Sequence, residues 1–341
     1  MRILETAGLY TGAGYLNFEH IMGLGYPYTI IVSMRGGGKT FGALSWCYDH
    51  EKYFLYFRRN KNALKVVTDP RYQIFKAINR VRGTEITASL EKELLGHYSE
   101  GEREIGLAAS LSTFGSIRSL SAEDVEVLIL DEFIPQMEER RQYDLFSAWL
   151  HADESITRNR VPDGLPEPRR ILLANTDKIH GDILAGYGIL DYFYMMQEEG
   201  IEIMEISPDM LLIFPKCEDI VEKKENTALY RTTQGTDFHE VALSNRFRID
   251  DQKNIAVRPI REYIPVSTIA GVCIYRHKSR SGEYYISESI VGAPARYEMT
   301  DSDRRRFLRA HSALWTAFLR KKVFFQDLKC QNVFFKVYNI L

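Results

Sequence analysis

Residues 26–40 read YPYTIIVSMRGGGKT. The run 26–32 is aromatic and β-branched, the composition of a buried strand. It leads directly into Ser33, Met34, Arg35, Gly36, Gly37, Gly38, Lys39 and Thr40, and residues 40–49 then read as a helix. A glycine-rich loop between strand and helix can wrap a phosphate with its backbone N–H groups, because glycine permits the dihedrals and the close approach. In such a loop Lys39 reaches the β- and γ-phosphates and the Thr40 hydroxyl binds Mg²⁺. Ser33 stands where the usual GxxxxGK[ST] pattern has its first glycine. The bland alternative is a turn beside a lysine, and the flanking strand and helix argue against it. Gly12, Ala13 and Gly14 have no strand before them and read as a loop.

Outward from this stretch, residues 53–57 (YFLYF), 125–130 (VEVLIL) and 170–174 (RILLA) read as further buried strands. Residues 71–80 and 141–150 read as helices. Strands alternating with helices imply a parallel sheet covered on both faces, an α/β fold. The third strand ends in Asp131 and Glu132. Adjacent residues on a strand point to opposite sides, so the two carboxylates can take different tasks. Asp131 suits water-mediated Mg²⁺ binding, and Glu132 suits polarising an attacking water. Adjacent acids are common on surfaces; the apolar strand and the upstream loop favour the chemical reading.

With 341 residues, 45% hydrophobic and 26% charged, the chain has the composition of ordinary packed domains, and about two are expected. It contains no apolar run of 18 residues, and its N-terminus lacks the order of a secretion signal, so neither a membrane span nor export is expected. Cys47, Cys217, Cys273 and Cys330 lie far apart, which fits a reducing compartment rather than a disulfide or zinc scaffold. Charge is uneven: residues 241–341 carry 18 Lys and Arg against 9 Asp and Glu, a formal +9, while residues 1–240 carry 26 against 37, a formal −11. The basic part suits a polyanion such as DNA or RNA, or an acidic protein surface; a merely solvated basic surface is the alternative.

Residues 208–252 read as a β-rich or mixed connector with turn signals at Pro215, Gly235 and Asn245. Residues 268–290 read as a β-hairpin turning through Ser279, Arg280, Ser281 and Gly282. Residues 303–321 read as one basic helix with Phe307, Leu308, Leu314, Trp315 and Phe318 on its apolar face. His277 and His311 have no second ligand at metal spacing and read as surface residues.

These pieces in order resemble the DNA packaging (encapsidation) ATPases of small phi-29-like tailed phages, relatives of the large terminase motors. The resemblance rests on the phosphate loop, then Tyr56-Phe57-Arg58-Arg59-Asn60-Lys61, Leu130-Asp131-Glu132-Phe133-Ile134, Thr157-Arg158-Asn159-Arg160 and Leu172-Leu173-Ala174-Asn175. It continues weakly through Gly235-Thr236-Asp237-Phe238 and the C-terminal hairpin. It spans most of residues 25–341 and leaves the first 20 or so without a counterpart.

The resemblance implies an ASCE-type P-loop ATPase domain over 1–207, a linker over 208–252 and a basic, nuclease-like (RNase H-like) α+β domain over 253–341. In the last, residues 272–277 carry no carboxylate where a metal-binding one would sit, so no nuclease chemistry is expected. It implies ATP and Mg²⁺ as ligands, and a homo-oligomeric ring, a pentamer, pushing double-stranded DNA inward at the portal vertex of a procapsid in the host cytoplasm. A packaging RNA is a further candidate partner. It also matches Arg158 to a trans-acting arginine finger, Asn175 to a residue coupling γ-phosphate state to movement, and Arg118 to a second basic interface residue. On the residues alone, Arg158 is equally a surface arginine and Asn175 equally a cap or turn residue. Two other classes stay open at this point: another ring-forming P-loop enzyme such as a helicase, and a nucleotide-regulated assembly protein.

Overall fold

The structure, a computed structural model, describes residues 1–117, 123–134, 143–158, 160, 162–176, 181–236, 239, 243 and 254–338. Arg118, Asn159, Asp237, Phe238 and Asn245 lie outside them. The chain divides into two compact units, one of residues 1–134, 143–177 and 195–246, the other of residues 135–142, 178–194 and 247–341. Among the described residues no helix is long and apolar enough to cross a membrane.

The first unit is a ten-stranded sheet. In chain order its strands are β1 (Arg2–Ile3), β2 (Tyr28–Ser33), β3 (Phe54–Arg58), β4 (Ile86–Glu91), β5 (Leu95–Glu100), β6 (Arg103–Ser110), β7 (Val127–Asp131), β8 (Arg169–Asn175), β9 (Ile203–Ser207) and β10 (Met210–Ile213). Their spatial order is β1-β9-β10-β2-β8-β7-β3-β6-β5-β4. The centre, from β10 to β6, is parallel throughout. β7 is fully buried along its length, and β2, β3 and β8 are buried at all but their terminal positions, which is why they read as continuous apolar runs. β8 lies between the loop-bearing β2 and the acid-bearing β7. Both ends of the sheet finish in antiparallel pairs, β9–β10 and β4–β5–β6.

The helices of this unit are α1 (Phe18–Gly23), α2 (Lys39–Asp49), α3 (Lys61–Thr68), α4 (Lys76–Arg82) and α5 (Leu145–Thr157). Instead of one helix at 71–80, the chain forms α3 and α4. Asn60 starts α3 by accepting the Ala63 N–H at 2.9 Å, the expected N-cap bond. Asp144 caps α5 through the Ser147 N–H, so this helix begins later and runs further than 141–150. α6 (Asp182–Gly186) belongs to the second unit, and α7 (Leu190–Glu199) leads back into the first. Beyond β10, the stretch 208–252 continues, among the described residues, as α8 (Glu218–Glu225) and α9 (Ala228–Thr232). The N-terminal segment is built into the core: Leu9 and Leu16 are buried beside Phe18, Ile21 and Met22. Phe18 lies so close to Gly42 of α2 that no side chain would fit there.

The second unit holds a five-stranded sheet of β11 (Tyr263–Ile269), β12 (Val272–His277), β13 (Tyr284–Ser287), β14 (Ala295–Tyr297) and β15 (Val323–Phe325), ordered β14-β11-β12-β13-β15. The expected hairpin is β12–β13. β11 precedes it, with Pro265 at a register shift where the ladder can spare an N–H. The stretch 303–321 is two helices, Asp301–Ala310 and Ser312–Leu319, broken at His311. Phe307 and Leu314 are buried, and Trp315 and Phe318 pack beside them, as the apolar face requires. His277 is 8% exposed rather than a surface residue. Its Nδ1 accepts the Ser279 and Arg280 N–H groups and so closes the hairpin turn.

One buried ion pair fixes α5 to the sheet. Arg170, near the start of β8, binds both Asp153 oxygens at 3.0–3.1 Å, with the two side chains only 3% and 6% exposed. The Tyr28 hydroxyl donates to the same carboxylate at 2.8 Å. Removing one partner of such a pair strands a buried charge. Asp153→Ala is therefore expected to destabilise this unit by about 3–5 kcal/mol in thermal or urea melts, whereas Asp153→Leu combined with Arg170→Met should recover much of the loss.

Candidate functional site

The glycine-rich loop leaves the carboxyl end of β2, the edge where ligands bind in open parallel sheets. Gly36 and Gly38 have φ of 81° and 86°, the left-handed region that only glycine enters without strain. Gly38 is the N-cap of α2, so the loop ends at a helix N-terminus suited to an anion. Ser33, the last residue of β2, and Met34 are fully buried.

Lys39 is 7% exposed, and its ammonium turns back into the loop. It donates to the Ser33 carbonyl (3.0 Å), the Ser33 hydroxyl (3.0 Å), the Met34 carbonyl (2.9 Å) and Asn175 Oδ1 at the end of β8 (3.1 Å). Ser33, in the place of the usual glycine, thus uses its side chain to solvate the lysine. Burial pushes the Lys39 ammonium down to about 8, with the charges of Asp131, Cys217 and Glu132 opposing the shift and that of Lys224 assisting it.

Asp131, at the end of β7, is 4% exposed. Its Oδ2 accepts from the Thr40 hydroxyl at 2.8 Å and the Tyr56 hydroxyl at 2.5 Å, while Oδ1 accepts the Glu132 N–H at 2.8 Å. Thr40 and Asp131 are hard oxygen donors side by side, a pair that fits Mg²⁺ sharing its remaining positions with phosphate and water. Among the described residues no three His, Cys, Asp or Glu gather as a set that could hold a metal alone. Glu132 has φ of 54° and is ion-paired with Arg58 at the end of β3. Arg58 also lies 3.7 Å from Asp131, and Arg59 Nε donates to the Glu132 carbonyl at 2.6 Å. Burial opposes the Arg58 charge, but Tyr56, Asp131 and Glu132 outweigh it and raise its pKa. A cleft of about 380 Å³ opens among Arg35, Lys39, Thr40, Asp131, Glu132 and Asn175.

Arg158 is elsewhere. α5 crosses back over the sheet: Trp149 packs on Phe57 near the carboxyl edge and Asp153 binds Arg170 near the amino edge. Arg158, five residues beyond Asp153, caps the helix and is exposed. The six residues of β2 separate the two edges by about 20 Å at roughly 3.3 Å per residue, so Arg158 cannot reach the loop of its own chain. Arg160 is buried and donates to the Pro166 and Glu123 carbonyls, which makes it a brace for the following loop. Tyr56 and Arg58 reach the site without a motif of their own; the available signal is Arg58, a polar side chain at the carboxyl end of the strand beside β7, with Tyr56 two residues before it. Lys224 lacks even such a signal, since nothing local distinguishes it from other helical lysines.

A model of the podovirus DNA encapsidation protein (Gp16) family matches residues 11–270. Among solved structures, the phage phi28 gp11 DNA packaging motor is 16% identical, with 96% of this chain and 98% of that chain covered at a TM-score of 0.65. The phage phi29 genome packaging motor assembly is 18% identical, with 96% and 99% covered at a TM-score of 0.66. These two likenesses establish a shared fold. A comparison with curated proteins finds no match.

Lys39 gives a pH test. Its folded pKa, about 8, lies below the ordinary 10.5, so the nucleotide-free protein holds fewer protons there than the unfolded chain between those values. The penalty of the buried charge is therefore constant below about pH 8 and relieved as pH rises toward 10.5. Lys39→Met should melt higher than wild type near pH 7, and the difference should shrink between pH 8 and 10.

Proposed function

The chain belongs to the podovirus DNA encapsidation protein (Gp16) family and serves viral genome packaging, and we propose that it does so as a magnesium-dependent ATPase driving double-stranded DNA into a procapsid. The observation that carries this reading is the meeting of Lys39, Thr40, Asp131 and Asn175 in one cleft at the carboxyl edge of the parallel sheet. In the proposed mechanism the loop N–H groups and Lys39 hold the β- and γ-phosphates. Thr40 and, through water, Asp131 would hold magnesium, which when bound neutralises charge on the transferring phosphoryl group. Tyr56 keeps the Asp131 carboxylate oriented. Glu132 accepts a proton from the attacking water. Asn175, bonded to Lys39, links the end of β8 to the state of the γ-phosphate.

Arg158 is assigned to the site of a neighbouring subunit, where a permanently charged guanidinium stabilises the transferring phosphoryl group. Its distance from its own loop supports that role, and with it a homo-oligomeric ring. The shared fold with the phi28 and phi29 DNA packaging motors supports work within a motor assembly; we read that assembly further, as the family resemblance implies, as a pentamer at the portal vertex of a procapsid in the host cytoplasm, with a packaging RNA as a candidate partner. The basic C-terminal region is read as nuclease-like in fold and without nuclease chemistry, since β12 carries no carboxylate.

Lys39→Ala should abolish ATP turnover in the purified protein; turnover near the wild-type rate would refute the loop assignment. Glu132→Gln should still bind Mg²⁺–ATP but hydrolyse it at a small fraction of the wild-type rate, and loss of binding would make Glu132 a structural residue instead. Arg158 is tested by mixing. An Arg158→Ala subunit keeps its own Glu132 and can take an arginine from a Glu132→Gln neighbour. Mixed rings should regain hydrolysis absent from either pure variant, against a background lowered by about 10³–10⁵. No recovery in verified mixed rings would return Arg158 to an ordinary loop arginine.

A further inference from the structure

α8 lies against the phosphate loop, and the contact is made by one face of the helix. Cys217, its N-cap in the left-handed region at φ 52°, is 1% exposed. Its Sγ lies 3.2 Å from where a side chain on Gly37 would begin. Ile220 follows and packs with Cys217 on Met34 of the loop. One turn further, Lys224 donates its ammonium to the Arg35 carbonyl. The Lys224 Nζ also lies 3.0 Å from where a side chain on Gly36 would begin. Positions 217, 220 and 224 share one helical face, so α8 covers Met34 to Gly37 as a unit. The same helix holds the N-terminal segment: Lys223 donates to the Ala13 carbonyl at 2.8 Å, and Asp219 abuts Gly14.

This brings a further cation, from α8, to a loop that already holds Arg35 and Lys39. The Lys224 charge lies near enough to help lower the Lys39 pKa, and burial lowers the pKa of Lys224 itself. Its partner at the loop is a neutral carbonyl, although a charged acceptor binds an ammonium about twice as strongly. The arrangement therefore favours a polyanion in the loop.

Resting on the reading of residues 33–40 as a phosphate loop, we propose that Lys224 is a positioning residue for the nucleotide: it braces the loop through Arg35 and couples the number of phosphates bound there to the docking of α8. A triphosphate in the loop tightens this contact more than a diphosphate does. α8, which also grips the N-terminal segment, is then the element that carries nucleotide state away from the site.

The test uses the full chain with fluorescent ATP and ADP analogues in the presence of Mg²⁺, together with hydrogen exchange over residues 218–232. In wild type, exchange there should slow with the ATP analogue and slow less with the ADP analogue. Lys224→Met should weaken the ATP analogue by about tenfold or more, the scale of one lost charge-assisted hydrogen bond, and the ADP analogue less. It should also erase the difference in exchange, and Lys224→Arg should restore part of both. Equal weakening of the two analogues, or unchanged protection of α8, would reduce Lys224 to a structural brace and overturn the proposal. Lys39→Met separates the two readings. If Lys39→Met loses binding while Lys224→Met keeps the wild-type ATP-to-ADP ratio, the coupling falls and the phosphate loop stands. If wild type binds neither analogue, both fall.

Discussion

Burying an ammonium is the constraint around which the carboxyl edge of the parallel sheet is arranged. Lys39 sits almost out of water, and a lone charge there would be displaced or neutralised. Two loop carbonyls, one hydroxyl and one amide oxygen solvate it instead. Three of those oxygens belong to Ser33 and Asn175, the last residues of β2 and β8, and the fourth to Met34 just beyond β2, so the ammonium is satisfied when the two strands end in register. Ser33 and Asn175 are paired across the ladder. Burial outweighs the attraction of the nearby carboxylates and lowers the pKa of this lysine. That leaves the site favouring an anion before one arrives, which is preorganisation of the kind phosphoryl transfer uses.

The acid-bearing strand is arranged differently. Asp131 is held by two hydroxyl donors and one backbone N–H, so its oxygens keep fixed directions. Glu132 lies in a left-handed backbone conformation that a non-glycine residue adopts at some cost, and the Arg58 ion pair and the Arg59 bond to its carbonyl hold it there. Strain maintained by surrounding charge at the end of a central strand is characteristic of a working site.

At the other edge of the sheet the controlling interaction is the Asp153–Arg170 pair with Tyr28. It ties α5 to the sheet five residues before the exposed C-cap Arg158. The same sheet thus presents the cleft of Lys39, Thr40 and Asp131 on one edge and an exposed arginine on the other.

Residues 26–40, the apolar strands and the acids at their ends were legible because each is local: a buried parallel strand is a continuous apolar run, and a phosphate loop is contiguous in sequence. The parallel α/β sheet and the membership of Lys39, Thr40, Asp131 and Glu132 in one edge followed from these. The antiparallel β4–β5–β6 extension and the break at His311 were not legible, since both depend on what packs beside them. β11 was obscured by Pro265, which argues against a strand until the bulge is seen. The family resemblance named Asn175 and Arg158, while the residues alone left each balanced against a commonplace role. Only the tertiary structure placed the Asn175 amide on the Lys39 ammonium and set Arg158 at the far edge. Only it brought Tyr56, Arg58 and Lys224 to the site from 75, 74 and 185 residues away in the chain: Tyr56 and Arg58 lie before Asp131 and Glu132, and Lys224 lies after Lys39. Such groupings are contacts between elements distant in sequence, and no local period or motif encodes them.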